Sequence, residues 1–352
     1  MSMQVVFKHK KGKSIYWLKN LVVYMKISDI GEMELIKRIH KKVGQSSGDI
    51  IKGIGDDAAV VSFDKKHYML FTTDSLYENV HFSLDLFTPE QIGKKAIESN
   101  VSDIAAMGGF PKYALVSLIL PKDTDLKFID KLYYGMNKAS KKYKVSIIGG
   151  NLSSGKNISI TIMMIGLVEK KYLCLRKNAK VHDLIAVTNT LGNSKAGLEL
   201  LKGHQKGPSV DYFLNPKSRL KEARALAKSR INAMEDVSDG LASEIINICS
   251  ESKTGAVIYK EKIPISKNTI NDAKKLKKDP YGFALYGGED YELVFTINKA
   301  RLKKLNTMIK KNNKGKNKLS FSVVGKILPK EKGIFLLDKN KKVKLKRGYE
   351  HF

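Results

Sequence analysis

Cysteine, clustered histidine and long apolar runs are what this 352-residue chain lacks. Its two thiols, Cys174 and Cys249, stand alone. That excludes a disulfide scaffold, a cysteine-built zinc site and an iron–sulfur ligand set, all of which group their cysteines at short spacing. None of the seven histidines forms a His-Glu-x-x-His pair. No serine or cysteine stands in an evident nucleophile elbow either, which argues against covalent catalysis through a hydroxyl or thiol. The apolar stretch Leu115 to Leu120 is stopped by Pro121 and falls far short of the roughly 18 apolar residues that cross a bilayer. The expected compartment is the cytoplasm, with no membrane partner. Acidic residues are also few, 35 against 64 basic ones, for a net charge of +29. Such a field draws in polyanions. The lysines, however, are spread over 138–144, 274–278, 299–318 and 339–347 with no aromatic-interleaved module beside them, so no specific nucleic-acid partner is expected.

The carboxylates that are present fall into groups. Gly53-Ile-Gly-Asp-Asp-Ala-Ala59, Thr72-Thr-Asp74 and Val101-Ser-Asp103 lie in the first half, and Asp236-Val-Ser-Asp-Gly240 and Gly287-Gly-Glu-Asp290 in the second. Carboxylate oxygens are hard ligands suited to magnesium, which accompanies polyphosphate substrates. Asp56, Asp57, Asp74, Asp103 and Asp239 are therefore candidate metal ligands and phosphate-positioning groups, with Thr72, Thr73 and Ser102 as supporting donors. Any one of these carboxylates could instead cap nearby backbone amides, as Asp239 could at the start of the helix after Gly240. Gly149, Gly150 and Gly155 would let a loop approach phosphate closely, although the same pattern also suits a tight hairpin, and it completes neither a Walker loop nor a dinucleotide fingerprint. Arg176 stands out in a lysine-rich, arginine-poor chain, because a guanidinium binds phosphate oxygens bidentately; a routine salt bridge is the competing reading.

Periodicity predicts a mixed α/β chain in two parts. A first helix covers Gly31 to Ile39, and a polar loop spans 43–57. Strands lie near 58–63, 68–73, 113–120, 145–148 and 158–168, with helices over 89–107 and 125–144. In this reading Asp74 sits just past a strand end, Asp103 near the end of a helix, and 149–155 is a loop. The second part has strands at 184–188, 291–297 and 321–328, a helix opened by 191–197, further helices over 218–231, 240–252 and 299–310, and an exposed loop at 310–318. The expected division is an extension over 1–29, with Met25 as the natural start, a first α/β domain over 30–169, and a second α/β domain over 170–352.

These blocks, together with Ala58-Ala-Val60, His81-Phe82, Ile104-Ala-Ala-Met-Gly108, Tyr291-Glu-Leu293 and the terminal Gly348-Tyr-Glu-His-Phe352, make the stretch 30–352 resemble the thiamine-monophosphate kinases. The superfamily also holds aminoimidazole ribonucleotide synthetase, selenophosphate synthetase and a hydrogenase-maturation protein. The resemblance implies a two-domain α/β (α+β) fold whose N-terminal sheets pair in a homodimer as a barrel-like core. It also implies ATP-dependent phosphorylation of thiamine monophosphate to thiamine diphosphate with release of ADP, assisted by magnesium and proceeding by direct in-line transfer. By the same resemblance Asp57, Asp74, Asp103 and Asp239 are catalytic, and Asp56, Asp57, Thr72, Thr73, Asp74, Asp103 and Asp239 hold metal. Thr73, Gly149, Gly150, Asn151, Arg176 and Ser238 meet the nucleotide, while His81, Glu289, Asp290 and Tyr349 meet the acceptor.

Two departures stand out. Asn151 replaces the carboxylate of the usual Gly-Gly-Asp-Thr-Thr, and Asn215-Pro-Lys-Ser-Arg219 is a weakened form of a two-proline segment, which leaves Arg219 the weaker candidate. The thiol expected of a selenophosphate synthetase or a hydrogenase-maturation relative is missing. The alternatives that stay open are another ATP-dependent small-molecule kinase or ligase on this fold, and a non-catalytic polyanion-binding homologue.

Overall fold

The computed structural model describes residues 26–43, 48–312 and 319–351. The expected start at Met25, most of the 1–29 extension, much of the 310–318 loop and Phe352 lie outside the described residues. Among the described residues, those from Lys26 to Val43 form a small unit with His351. In it, helix α1 (Gly31–Lys42) carries Glu32 and Glu34 in its first turn and His40, Lys41 and Lys42 in its last, the arrangement its dipole favours. The His351 backbone N–H donates to Glu32 Oε2 at 3.0 Å.

The rest of the chain is built on two sheets. The first comprises β1 (Ile50–Lys52), β2 (Ala59–Ser62), β3 (His67–Tyr77), β4 (Phe110–Leu120), β5 (Ser146–Ser154) and β6 (Ser159–Glu169), in the spatial order β1-β2-β3-β6-β4-β5. Only β4 and β5 run parallel. Helices α2 (Pro89–Ala106) and α3 (Leu126–Tyr143) supply the crossovers. Thr88 caps α2 in a reciprocal capping box with Gln91, and Pro89 occupies the first turn, where no N–H is required. Because α2 is buried on nearly every side, apolar periodicity understates its importance. Gly93 is what lets α3 approach, since a Cβ there would lie 2.0 Å from the Leu132 carbonyl oxygen.

Alternation along β6 buries Ile160, Ile162, Met164 and Val168 in one core with Ile92, Ile97, Ile104, Leu132 and Met136. Each such burial is worth about 1.5–3 kcal/mol. At alternate positions of the same sheet, Tyr77, Tyr113 and Ile119 are exposed.

The second sheet contains β7 (Leu184–Thr188), β8 (Met234–Asp236), β9 (Gly255–Tyr259), β10 (Leu293–Ile297), β11 (Phe321–Leu328), β12 (Ile334–Asp338) and β13 (Lys341–Lys344), in the order β13-β12-β9-β11-β7-β10-β8. Around it lie α4 (Asn193–Lys202), α5 (Val210–Leu214), α6 (Leu220–Lys228), α7 (Leu241–Ser252), α8 (Lys267–Lys275), α9 (Pro280–Tyr286) and α10 (Lys299–Asn312). A third apolar cluster joins the C-terminal end of α2, through Ala105 and Ala106, to Ala223, Leu226, Met234 and Phe295 of this second part.

Three expectations change. The 43–57 segment contains the short strand β1, paired with β2. Strand β3 runs on past Thr73, so Asp74 lies within it, opposite Ile162 of β6. The glycine-rich 149–154 segment is also strand, the exposed edge β5, rather than a loop. Gly150 explains the last of these, because a Cβ there would lie 1.7 Å from the Val116 carbonyl oxygen of β4. The glycine serves close strand pairing.

Candidate active site

The acidic runs converge where the two parts of the chain meet. Asp56 and Asp57 end the turn before β2, Asp74 comes from β3, Asp103 from the last turns of α2, and Asp236 from the end of β8. Period two directs Thr72 and Asp74 to one face of β3, where Thr72 Oγ1 donates to Asp103 Oδ2 at 2.5 Å. Thr73 falls on the opposite, exposed face, so its side chain is not brought to the other carboxylates. Ser102 Oγ donates to Asp236 Oδ2 at 2.5 Å. The Arg176 guanidinium lies among them, hydrogen-bonded to Asp57 and 2.8 Å from Glu235 Oε1, while its backbone N–H faces Asp56 at 3.3 Å.

This concentration of negative charge is under-compensated. Burial, with the charge of Asp57 adding to it, pushes Asp56 up to about 7 in spite of Arg176 and Lys52. Burial also raises Asp57 and Asp74, the latter against a hydrogen bond from Ser99. Asp103 and Asp236 go well above the usual carboxylate range because burial is joined by repulsion from neighbouring aspartates. Asp57 Oδ2 and Glu235 Oε2 are buried without a hydrogen-bond partner. Among the described residues, no three His, Cys, Asp or Glu side chains already stand in metal-binding geometry. Hard oxygen donors, mutual repulsion and two orphaned carboxylate oxygens nonetheless fit a divalent cation, which would relieve all three conditions.

Asp239 lies three residues after Asp236, in the bend between β8 and α7. Its backbone N–H donates to Glu244 Oε1 at 2.8 Å, and Asp239 in turn helps to hold Glu244 up at about 7, behind the larger effect of burial. Gly348 packs close to the Asp239 carbonyl oxygen, at 2.2 Å from an imagined Cβ, and donates its N–H to Ser243 Oγ. Tyr349 follows it, with its ring exposed. The Ser238 carbonyl accepts the Glu289 N–H at 2.7 Å, stitching the two glycine-rich loops together.

The other predicted residues are placed less directly. Asp290 accepts hydrogen bonds from the backbone N–H groups of Gly192 and Ser194, so its carboxylate caps the start of α4. Arg219 makes a two-point contact with Glu292, at 3.0 and 2.6 Å. His81 Nδ1 accepts from the Tyr77 N–H at 3.0 Å and closes a turn. Gly149, Gly150 and Asn151 lie on the exposed edge of the first sheet.

Sequence reasoning missed Lys95. Its ammonium is wholly buried, 2.6 Å from Glu289 Oε1, 2.8 Å from the His81 carbonyl oxygen, and about 5 Å from the rings of Phe87 and Phe213, which are 5.1 and 5.0 Å away. One cation therefore ties both proposed acceptor segments to α2. Sequence reasoning also missed Glu235 and Glu244, and it noted Asp236 in an acidic run without counting it among the candidate ligands, although the adjacent pair Glu235-Asp236 repeats the pattern of Asp56-Asp57.

A family model described as AIR synthase related protein, N-terminal domain, matches residues 55–168, and its C-terminal-domain counterpart matches 180–337. The thiamine-monophosphate kinase of Buchnera aphidicola subsp. Acyrthosiphon pisum is 40% identical over 329 residues, covering 91% of this chain and 98% of its own length. The chain belongs to the thiamine-monophosphate kinase family. The crystal structure of the Aquifex aeolicus family member aligns with a TM-score of 0.74 at 32% identity, over 91% of this chain and 100% of its own. A structure described as AaThiL complexed with AMPPCP and TMP aligns with a TM-score of 0.82 at 34% identity, over 94% of this chain and 100% of that one. The two-domain fold of the AIR synthase related proteins is thus the fold of this family member.

Proposed function

We propose that this chain transfers the γ-phosphoryl group of ATP to the phosphate of thiamine monophosphate, forming thiamine diphosphate and ADP. The observation that carries this reading is the buried, under-compensated carboxylate cluster, in a chain whose relative is described as complexed with AMPPCP and TMP. Asp56, Asp57, Asp74, Asp103 and Asp239 are the residues assigned to hold magnesium, with Thr72 supporting Asp103 and Asp236 added to the set. A bound ion of that kind offsets the repulsion between two anionic reactants and aligns them.

The chain's own residues have limited chemistry to do. The attacking atom is an oxygen of an already ionised phosphate, so positioning replaces a general base. Arg176, Ser238, Gly149, Gly150 and Asn151 are assigned to the nucleotide side. His81, Glu289 and Tyr349 are assigned to the acceptor, and Asp290 acts on the same loop by anchoring it to α4. The exposed apolar positions Tyr113 and Ile119 and the open edge of β5 support a homodimer closed over the first sheet as a barrel-like core. We take 30–169 and 170–352 as the two domains, and the cytoplasm as the compartment. Among the described residues no helix is long and apolar enough to cross a membrane.

The test is to incubate the purified protein with magnesium, ATP and thiamine monophosphate and to measure ADP and thiamine diphosphate together. Equal amounts of the two products, lost in Asp74→Asn and Asp103→Asn, are expected. Nucleotide binding without thiamine diphosphate would overturn the assignment.

A further inference from the structure

A cavity of about 400 Å³ carries the opposite sign from the acidic cluster. Lys171, Lys177, Lys180, Arg230 and Arg301 line it, and no Asp or Glu does. The arginines are the informative part. The chain has seven arginines among 64 basic residues, so lysine is what this composition supplies by default. Arg176, Arg219, Arg224 and Arg347 each face a carboxylate. Of the other three, Arg38 lies on α1, while Arg230 and Arg301, neither of them in an ion pair among the described residues, both stand at this cavity.

Both guanidiniums are braced rather than loose. Arg230 Nη1 donates to the Lys171 carbonyl oxygen at 2.5 Å, and its guanidinium lies 5.4 Å from the Tyr172 ring. Arg301 Nη1 donates to the Arg230 carbonyl oxygen at 2.6 Å and to Asn232 Oδ1 at 2.9 Å. Arg230 itself is held at φ 58, in the left-handed region. A guanidinium has five N–H donors, so these bonds fix its plane and leave a fork for oxyanion oxygens. Asp183 is tied to the same wall, but it is buried and already accepts from Asn232 Nδ2 at 2.7 Å and the Lys180 N–H at 2.9 Å. The cations at the mouth are thus left to one another.

We propose that this cavity is a second anion site, separate from the carboxylate cluster, for a small molecule carrying two or more adjacent phosphate groups. Its volume falls in the range of small-molecule sites rather than of a nucleic-acid track. Five cationic residues lining one cavity with no acidic residue among them favour multiple negative charge over a single one.

Pyrophosphate in EDTA is the probe, because the acidic cluster without divalent cations repels it and leaves the cavity as the place to bind. Titration calorimetry at about 0.15 M salt, where surface attraction is screened, is expected to give saturable binding near one equivalent. The double variant Arg230→Gln/Arg301→Gln should weaken it at least about tenfold, the loss of roughly one charge-assisted contact. Lys341→Gln/Lys342→Gln on β13 removes the same charge and should leave affinity unchanged. Because Arg301 also braces Asn232, Lys177→Gln/Lys180→Gln provides a second variant that touches no bracing bond, and it too should weaken binding several-fold. Absence of saturable binding, or equal losses in the cavity and β13 variants, would overturn the proposal.

Discussion

Replacing Lys95 by methionine removes a charge with no solvent access while keeping most of the side-chain volume. Its partner Glu289 is 27% exposed. Leaving a fully buried partner unpaired costs about 3–5 kcal/mol, but Glu289 can recover part of its hydration, which brings that contribution to about 2 kcal/mol. The abandoned His81 carbonyl adds about 1 kcal/mol, and the two ring contacts add about 1 kcal/mol together. Against this stands the ammonium's own desolvation, which the methionine avoids. The expected net loss is therefore about 2–3 kcal/mol. Urea unfolding of Lys95→Met, Glu289→Gln and the double variant closes a cycle in which the pair should couple by about 2 kcal/mol. If Glu289 and His81 hold the acceptor, Lys95→Met should also raise the KM for thiamine monophosphate well above any change in the KM for ATP. A coupling energy under about 0.5 kcal/mol, or equal effects on the two KM values, would refute this account of Lys95 as a positioning residue.

Asp103→Asn keeps an acceptor for Thr72 but removes one of several repelling charges, so the metal-free protein should melt higher than the parent in EDTA while its stabilisation by magnesium shrinks. Turnover should fall by about a hundredfold or more, the scale on which a pre-organised charge is lost; thermal scans with and without magnesium and an ADP assay measure both, and a lower melting point in EDTA would contradict the repulsion argument. Asp290→Ala orphans the Gly192 and Ser194 N–H groups at the start of α4 and should cost about 1–2 kcal/mol, partly recovered in Asp290→Asn. Denaturant titration checks this, and a raised acceptor KM with unchanged stability would instead make Asp290 a direct substrate contact.

Most helices and long strands were legible because their patterns are local, while α5, α8 and α9 went unread. The apolar spacing of α1 and α3 and the alternation of β6 each state an element and a face without reference to the rest of the chain. Strand β8 was not legible, since two of its three residues are Glu235 and Asp236, and carboxylates at consecutive positions read as surface until a site is found to need them buried. The end of β3 was misjudged for a related reason: Asp74 interrupts an apolar pattern that the backbone continues through, and pairing with β6 as far as Tyr77 is information carried by the partner strand. Gly149 and Gly150 signalled an unusual backbone requirement, but a glycine serves equally for a tight turn and for a close approach. Only the position of the Val116 carbonyl decides between them.

The candidate site divides along the same line. Its carboxylates stood out because each run is short and contiguous, while the groups that set their energetics are distant in sequence. Arg176 reaches Asp57 across 119 residues and Ser102 reaches Asp236 across 134. Lys95 is the extreme case: in sequence it is one of two adjacent lysines on a helix, and nothing local separates the half-buried one from the fully enclosed one. Lys94 is half-buried with its pKa lowered chiefly by burial, whereas Lys95 is fully enclosed between a carboxylate, a carbonyl and two rings. A one-residue step around α2 turns the side chain by about 100°, which is enough to leave one lysine half-buried with only the Asn215 side chain to bond among the described residues, and to make the other the cation that joins the His81 turn to the Glu289 loop. Exchanging Lys94 for methionine should therefore be tolerated far better than the same exchange at Lys95, and the difference in unfolding free energy between the two variants measures how much of the effect belongs to position rather than to residue type.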